Sequence, residues 1–386
     1  ISACLVGSEM CIRDSIWRVI GGLGVGAASV IAPAYIAEVS PAAIRGRLGS
    51  LQQLAIVTGI FAALLSDALL ANIAGAADQP LWGLTAWRWM FMVAAIPALV
   101  YGLVSLRLPE SPRYLVRKGD MTRAAEVLET VTGAVDVDAK IKEITSTIDT
   151  ERKESLRDLR GSRLGLKPIV WVGILLSVFQ QFVGINVIFY YSTTLWQSVG
   201  FDESSALLTS VITSVTNIVV TIIAILLVDK VGRRIMLLVG SVGMTVTLGL
   251  MALAFSFGTL DAEGAATLPD PWATVALICA NGFVVFFGAT WGPLVWVLLG
   301  EIFPNSIRAG ALAVAAAAQW AANFFISTTF PIFADIGLTF AYGFYAFFAL
   351  LSFFFVYFKV PETKGKELEE MTDELTVERR GTRKAT

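Results

Sequence analysis

Nine stretches of about twenty residues or more, almost wholly apolar, recur at 16–38, 49–75, 89–107, 168–198, 205–228, 235–258, 273–300, 309–333 and 338–359. A helix needs about 20 such residues to cross a bilayer's ~30 Å hydrocarbon core, and only helices and closed barrels satisfy their backbone there. The chain is therefore expected to fold as an all-α polytopic membrane protein. Charged residues are 16 % of its 386 positions, well below the roughly 25 % of soluble domains, and they sit mostly between the stretches.

One region departs from this pattern. Residues 108–165 are charged and carry apolar residues at helical spacing in Met121–Val131 and Val137–Ile148, which reads as a small water-facing helical insert. Four parts follow: an N-terminal membrane half at 1–107, the insert at 108–165, a C-terminal membrane half of six spans at 166–359, and a tail at 360–386. Only three complete spans precede the insert. If the halves are parallel repeats of similar length, the chain is expected to be N-terminally truncated by about 90 residues, holding nine complete spans and the end of another. Ile1–Gly7 reads as belonging to that partial span, and the charged run Ser8–Ser15 reads either as a foreign junction or as a short interfacial loop.

Charge sets the orientation. Nearly all of the 29 Lys and Arg fall in segments on one side: 39–50, 107–167, 229–234, Arg308 and 359–386. The opposite loops carry Arg88 against Asp78, Asp202, Glu203, Asp261, Glu263, Asp270 and Asp335. By the positive-inside rule the insert and the C-terminus are expected in the cytoplasm. A net charge of −2 with basic residues so segregated excludes nucleic acid as a partner. His is absent, which leaves carboxylates as the proton carriers near neutral pH. Cys4, Cys11 and Cys279 have neither metal-site nor disulfide-framework spacing, and no nucleophile–base pair or cofactor loop is visible. No metal, cofactor or catalytic residue is expected.

The two membrane blocks repeat each other. Glu38-x-x-Pro41-x-x-Ile44-Arg45 returns as Glu301-x-x-Pro304-x-x-Ile307-Arg308, and Pro109-Glu110-Ser111 returns as Pro361-Glu362-Thr363. Parallel repeats of this kind are a transporter signature. Glu38, Arg45, Glu110, Arg113, Asp229, Arg233, Glu301 and Arg308 then form a candidate set of ion pairs closing an inner gate. Single exposed pairs are worth about 0–1 kcal/mol, so several must act together.

Polar residues inside spans mark a solute path. Gln180-Gln181-Phe182-Val183-Gly184-Ile185-Asn186 sets three amides around a glycine where a helix can break, and Gln53, Asn217, Gln319 and Asn323 repeat the theme in other spans. An amide both donates and accepts hydrogen bonds, as a sugar hydroxyl does, whereas phosphate or carboxylate calls for Arg or Lys. The competing role for each amide is interhelical glue of roughly 0.6 kcal/mol. Gly288, Gly292 and Trp296 stand four apart on one expected face beside Pro293, a hinge next to an aromatic floor. Trp82 and Trp171 read as interfacial anchors. Arg18 lies in a span, where an unpaired Arg costs at least ~2.5 kcal/mol, and is either partnered by an acidic group in the absent segment or snorkels to the interface.

These motifs together resemble the sugar porters of the major facilitator superfamily. The likeness rests on Arg18-Val-Ile-Gly21-Gly22-Leu-Gly24, Pro33-Ala-Tyr35-Ile-Ala-Glu38, Pro109-Glu-Ser-Pro-Arg113, the Gln180–Asn186 run, Asp229-Lys-Val-Gly-Arg233-Arg234, Gly292-Pro293-Leu-Val-Trp296, Glu301-Ile-Phe-Pro304 and Pro361-Glu-Thr-Lys-Gly365. It is nearest to the bacterial proton-coupled xylose porters. The resemblance implies two parallel-related six-helix halves, alternating access, a bacterial inner-membrane location, and one sugar held between the halves. It assigns sugar contact to Gln53, Gln180, Gln181, Asn186, Asn217, Gly292, Trp296, Gln319 and Trp320, and an outer gate to Tyr190. In proton-coupled members an Asp of the first span works with the Arg matched by Arg18, the proton-coupling candidate here; a second carboxylate of the xylose porters is matched by Ala94. The expected activity is secondary transport of a neutral pentose or hexose with H+ as co-substrate. Facilitated uniport, polyol carriage and a non-transporting sugar sensor are the alternatives.

Overall fold

The structure, a computed structural model, describes residues 2–39, 45–130, 136–150, 156–161, 165–197, 200–260, 266–303 and 307–363. In chain order the helices of the first block are α1 (Ser2–Val39), α2 (Arg45–Ala74), α3 (Ala86–Val93) and α4 (Ala95–Ser105), with a hairpin of β1 (Pro80–Leu81) and β2 (Leu84–Thr85) before α3. The insert holds α5 (Pro112–Lys118), α6 (Met121–Thr130) and α7 (Val137–Thr150), followed by a 3₁₀ turn at Leu156–Leu159. The last block runs α8 (Pro168–Phe182), α9 (Ile185–Tyr190), α10 (Ser192–Gln197), α11 (Glu203–Val231) and α12 (Arg233–Ser256). It continues with a hairpin of β3 (Thr259–Leu260) and β4 (Ala266–Thr267), then α13 (Trp272–Ala289), α14 (Trp291–Ile302), α15 (Arg308–Ile336) and α16 (Leu338–Lys359).

All nine apolar stretches fall in helices. Eight helical runs among the described residues are long and apolar enough to cross a membrane, from Leu51–Ala74 to Leu338–Lys359; the ninth stretch, 16–38, lies within α1. Ser8–Ser15 is helical, part of α1 rather than an interfacial loop; nothing breaks the helix there, since the run holds neither Pro nor Gly. Three stretches are interrupted, each for a local reason. Residues 86–105 break at Ala94, whose N–H turns back to the Phe91 carbonyl, three residues before Pro97 removes a helical donor. The stretch 168–198 breaks at Gly184 and again at Tyr191, and 273–300 breaks at Thr290; the interruptions at Gly184 and Thr290 shape the candidate site.

The described chain forms two compact units, Ile1–Gln52 with Pro109–Glu151, and Gln53–Leu108 with Arg152–Thr386. In the first, the insert has its own small core of Leu115, Val116, Ala124 and Val127, with Ile141 and Ile144 against it. The sequence periodicity placed α6 and α7 but not α5. That short helix is made by its ends: the Ser111 hydroxyl accepts the Tyr114 N–H at 3.1 Å, Pro112 opens it, and Gly119 in the left-handed region closes it. In α1 the Tyr35 hydroxyl donates to the Pro109 carbonyl at 2.9 Å, tying the Pro109-Glu110-Ser111 motif to the helix.

In the second unit α12 packs on α13 and α16, and α15 packs on α8. Trp291, Tyr342, Tyr345 and Phe283 are fully buried at the centre. Val239, Val242, Val246 and Phe354 are exposed, as a bilayer-facing surface requires. Trp82 occupies the tight turn between β1 and β2, exposed and edge-on to Trp89 with centroids 5.7 Å apart. Asp202 caps α11, accepting from the Ser205 N–H at 3.1 Å and its hydroxyl at 2.5 Å, and those donors hold its carboxyl below the usual carboxylate range.

Candidate functional site

The site is built from chain interruptions. The helix begun at Pro168 ends at Phe182 and restarts at Ile185 because Gly184 adopts φ +83, a conformation open to glycine. A Cβ there would also stand 2.7 Å from the Tyr345 ring. The break delivers Gln180 and Gln181 from the end of α8 and Asn186 from the start of α9 to one place. The Asn186 amide donates to Gln181 Oε1 at 2.6 Å and to Asn323 Oδ1 of α15 at 2.8 Å. Asn323 Oδ1 also accepts the Ser327 hydroxyl at 3.2 Å, and the Tyr191 hydroxyl donates to the Ser327 carbonyl at 3.0 Å.

The second interruption is at Thr290, with φ −135 and ψ −85, between α13 and α14. The expected single face of Gly288, Gly292 and Trp296 is thereby divided: Gly288 ends α13, while Gly292 and Trp296 belong to α14. Pro293 sits in the first turn of α14, where its missing N–H costs least. Gln180 Nε2 donates to the Trp291 and Gly292 carbonyls at 3.0 and 3.1 Å. Gln53 Nε2 of α2 lies 3.5 Å from where a Cβ on Gly292 would stand, and Asn217 Oδ1 of α11 lies 2.6 Å from the same point on Gly288.

The amides from α2, α8, α9, α11 and α15 thus gather against two glycines and a broken helix. Gln180, Gln181, Asn217 and Gln319 are all buried, yet Gln180 Oε1 and Gln319 Oε1 have no hydrogen-bond donor. Two acceptors shut away from water and unmatched each cost about 1–3 kcal/mol, and a ligand hydroxyl would satisfy them. Trp296 is half-buried against the core, whereas Trp320 and Tyr190 are exposed.

The charged set is described in part. The side chains of Glu38, Arg45 and Asp229 lie outside the described residues. Arg233 is buried and pairs with Glu301 at 3.0 Å, and Arg308 Nε donates to the Phe303 carbonyl at 3.2 Å. Glu301 also accepts the Thr363 hydroxyl at 2.6 Å, and Glu362 accepts the backbone N–H groups of Arg233 and Arg234 at 3.0 and 3.1 Å. Glu362 and Thr363 were visible in the sequence only as the repeat of Pro109-Glu110-Ser111; their role at the N-terminus of α12 needs the chain folded back. Tyr191 and Ser327 carried no sequence signal. Arg18 lies on an exposed stretch of α1, Glu110 precedes α5 and Arg113 lies in its first turn. Leu368, Met371 and Leu375 of the tail, whose helical spacing suits a small latch, are outside the described residues.

Comparison with known proteins accords with this architecture. The family described as "Sugar (and other) transporter" matches residues 2–375. A glucose transport protein of Synechocystis sp. is 57 % identical over 369 residues, covering 95 % of this chain and 78 % of that protein. A D-xylose-proton symporter of Escherichia coli is 41 % identical over 363 residues, covering 92 % of this chain and 70 % of that one. Among solved structures, the major facilitator proton:xylose symporter bound to 6-bromo-6-deoxy-D-glucose matches with TM-score 0.75 and 37 % identity, over 93 % of this chain and 73 % of that one.

Proposed function

The chain belongs to the sugar transporter family of the major facilitator superfamily, and on that premise we propose that it carries a neutral monosaccharide across the membrane by proton-coupled alternating access. The relatives named for glucose transport and for D-xylose–proton symport narrow the cargo to a hexose or pentose. The sugar sits against Gln53, Gln180, Gln181, Asn186, Asn217 and Gln319, with Gly292 leaving room for the ring, Trp296 and Trp320 offering aromatic faces, and Tyr190 closing the outer side. The observation that supports this most directly is the pair of buried, donorless oxygens of Gln180 and Gln319. Sugar hydroxyls supply the missing donors and, at the same time, accept from the amide N–H groups. No bond of the cargo is made or broken.

Exchange between outward- and inward-open states requires the inner contacts to form and part. Arg233, Glu301 and Arg308, with Glu38, Arg45, Glu110, Arg113 and Asp229, act there, the insert and C-terminus facing the cytoplasm of a bacterial inner membrane. Arg18 takes part in proton coupling.

Calorimetric titration with D-glucose and D-xylose tests the site. Gln180→Leu and Gln319→Leu are expected to weaken binding about ten-fold or more, as loss of a 1–3 kcal/mol polar contact requires, while sugar phosphates do not bind. Unchanged affinity in both variants, or tighter binding of an anionic sugar, would overturn the assignment.

A further inference from the structure

Away from the amides, the outer face of α12 carries an entirely apolar groove of about 450 Å3. Leu238, Val242 and Val246 form its floor, with Phe286 of α13 and Phe353 of α16 as walls. The floor residues recur every four positions, one stripe along the helix. The Phe286 ring lies so close to Gly243 that a Cβ there would meet it at 2.2 Å, so the wall leans onto the helix backbone.

At the head of the groove, one turn before Leu238, stands Arg234. Its Nη2 donates to the Tyr357 carbonyl at 2.6 Å, and its guanidinium lies 5.8 Å from the Tyr357 ring centroid. Tyr357 in turn stacks on Phe353 at 6.3 Å and 14°, so the cation is joined by aromatic contact to the groove wall. Among the described residues no carboxylate pairs with the Arg234 guanidinium, and its Nε has no acceptor. Lys359 closes the same end of α16. A cation with no carboxylate partner among the described residues, above an apolar trough, asks for an amphiphile with an anionic head.

The dimensions fit one leaflet. The twelve steps from Arg234 to Val246 rise about 18 Å, against about 15 Å for half the hydrocarbon core. A second protein copy fits less well: helix association in lipid uses small residues that let backbones approach. Here the exposed positions are the β-branched Val239, Val242 and Val246, and Gly243 is covered by Phe286.

We propose that the α12–α16 groove binds an anionic phospholipid, its phosphate on Arg234 and one acyl chain along Leu238, Val242 and Val246. This rests on the membrane-spanning reading of these helices but not on the sugar site. A lipid held here would bridge α12 and α16.

The test is native mass spectrometry of the protein released from bilayers of phosphatidylcholine with phosphatidylglycerol, counting retained lipids. The wild type is expected to retain phosphatidylglycerol over phosphatidylcholine by about five-fold, the ratio one Lys or Arg confers at an anionic surface. Arg234→Gln abolishes the preference, Arg234→Lys restores part of it, and Val242→Trp, which fills the trough, removes retention of both lipids. Inorganic phosphate does not displace the bound lipid. An unchanged preference in Arg234→Gln, lipid retained by Val242→Trp, or a dimer cross-linked through Val242→Cys would each overturn the proposal. Sugar affinity measured on the same variants stays at the wild-type value, so failure of the lipid site and failure of the sugar site give different results.

Discussion

At the residue scale the second unit holds more unsatisfied polarity than a helix core usually accepts, and not all of it belongs to the sugar. Tyr342 and Tyr345 are fully buried with hydroxyls that have no partner. Tyr345 presses its ring on Gly184 and so holds the helix break open, a task for the ring rather than the hydroxyl. Tyr345→Phe is therefore expected to leave sugar affinity unchanged and to raise thermal stability in detergent by up to about 1 kcal/mol, because an unmatched buried hydroxyl costs about that much or more. A loss of stability of similar size would mean that the hydroxyl has a partner. Gln180 differs because its unmatched oxygen stands next to N–H groups already committed: it gives its donors to two backbone carbonyls and keeps a bare acceptor.

At the scale of elements the end of the last block where α12 begins is organised by Glu362. It accepts N–H groups at the start of α12 where the helix leaves four donors orphaned, and Gly232, at φ +103, lets the carboxylate come close. Glu362→Ala is expected to destabilise the first turn of α12 by about 1–2 kcal/mol, seen as faster hydrogen exchange at Arg233 and Arg234. Exchange at wild-type rates would contradict a capping role. The apolar stretches and the insert's amphipathic helices were legible in the sequence because membrane length and helical periodicity are local properties. The Gly184 break was legible for the same reason, glycine among amides. The break at Thr290 was not, since Gly288, Gly292 and Trp296 keep helical spacing straight through it. Nor was Glu362's contact with α12, which joins residues far apart in the chain. The short α5 escaped because its stability lies in Ser111 and Gly119 at its ends.

At the scale of the molecule, nine apolar helical stretches, a repeated Glu–Arg register and a cluster of neutral amides converge on one activity, and the family to which the chain belongs carries that activity in its named members. The bilayer excludes water from the helices, so a hydroxyl-rich solute crosses only where the protein replaces its hydration shell. In the proposed account Gln181 and Asn186, bonded at 2.6 Å, are at the centre of that replacement. The most direct measurement is saturable uptake of radiolabelled D-xylose and D-glucose into vesicles bearing the protein, with and without Gln181→Ala. The account predicts uptake that saturates and collapses on addition of a protonophore, and that is lost in Gln181→Ala although the variant inserts normally; saturable uptake by Gln181→Ala at the wild-type level would contradict it.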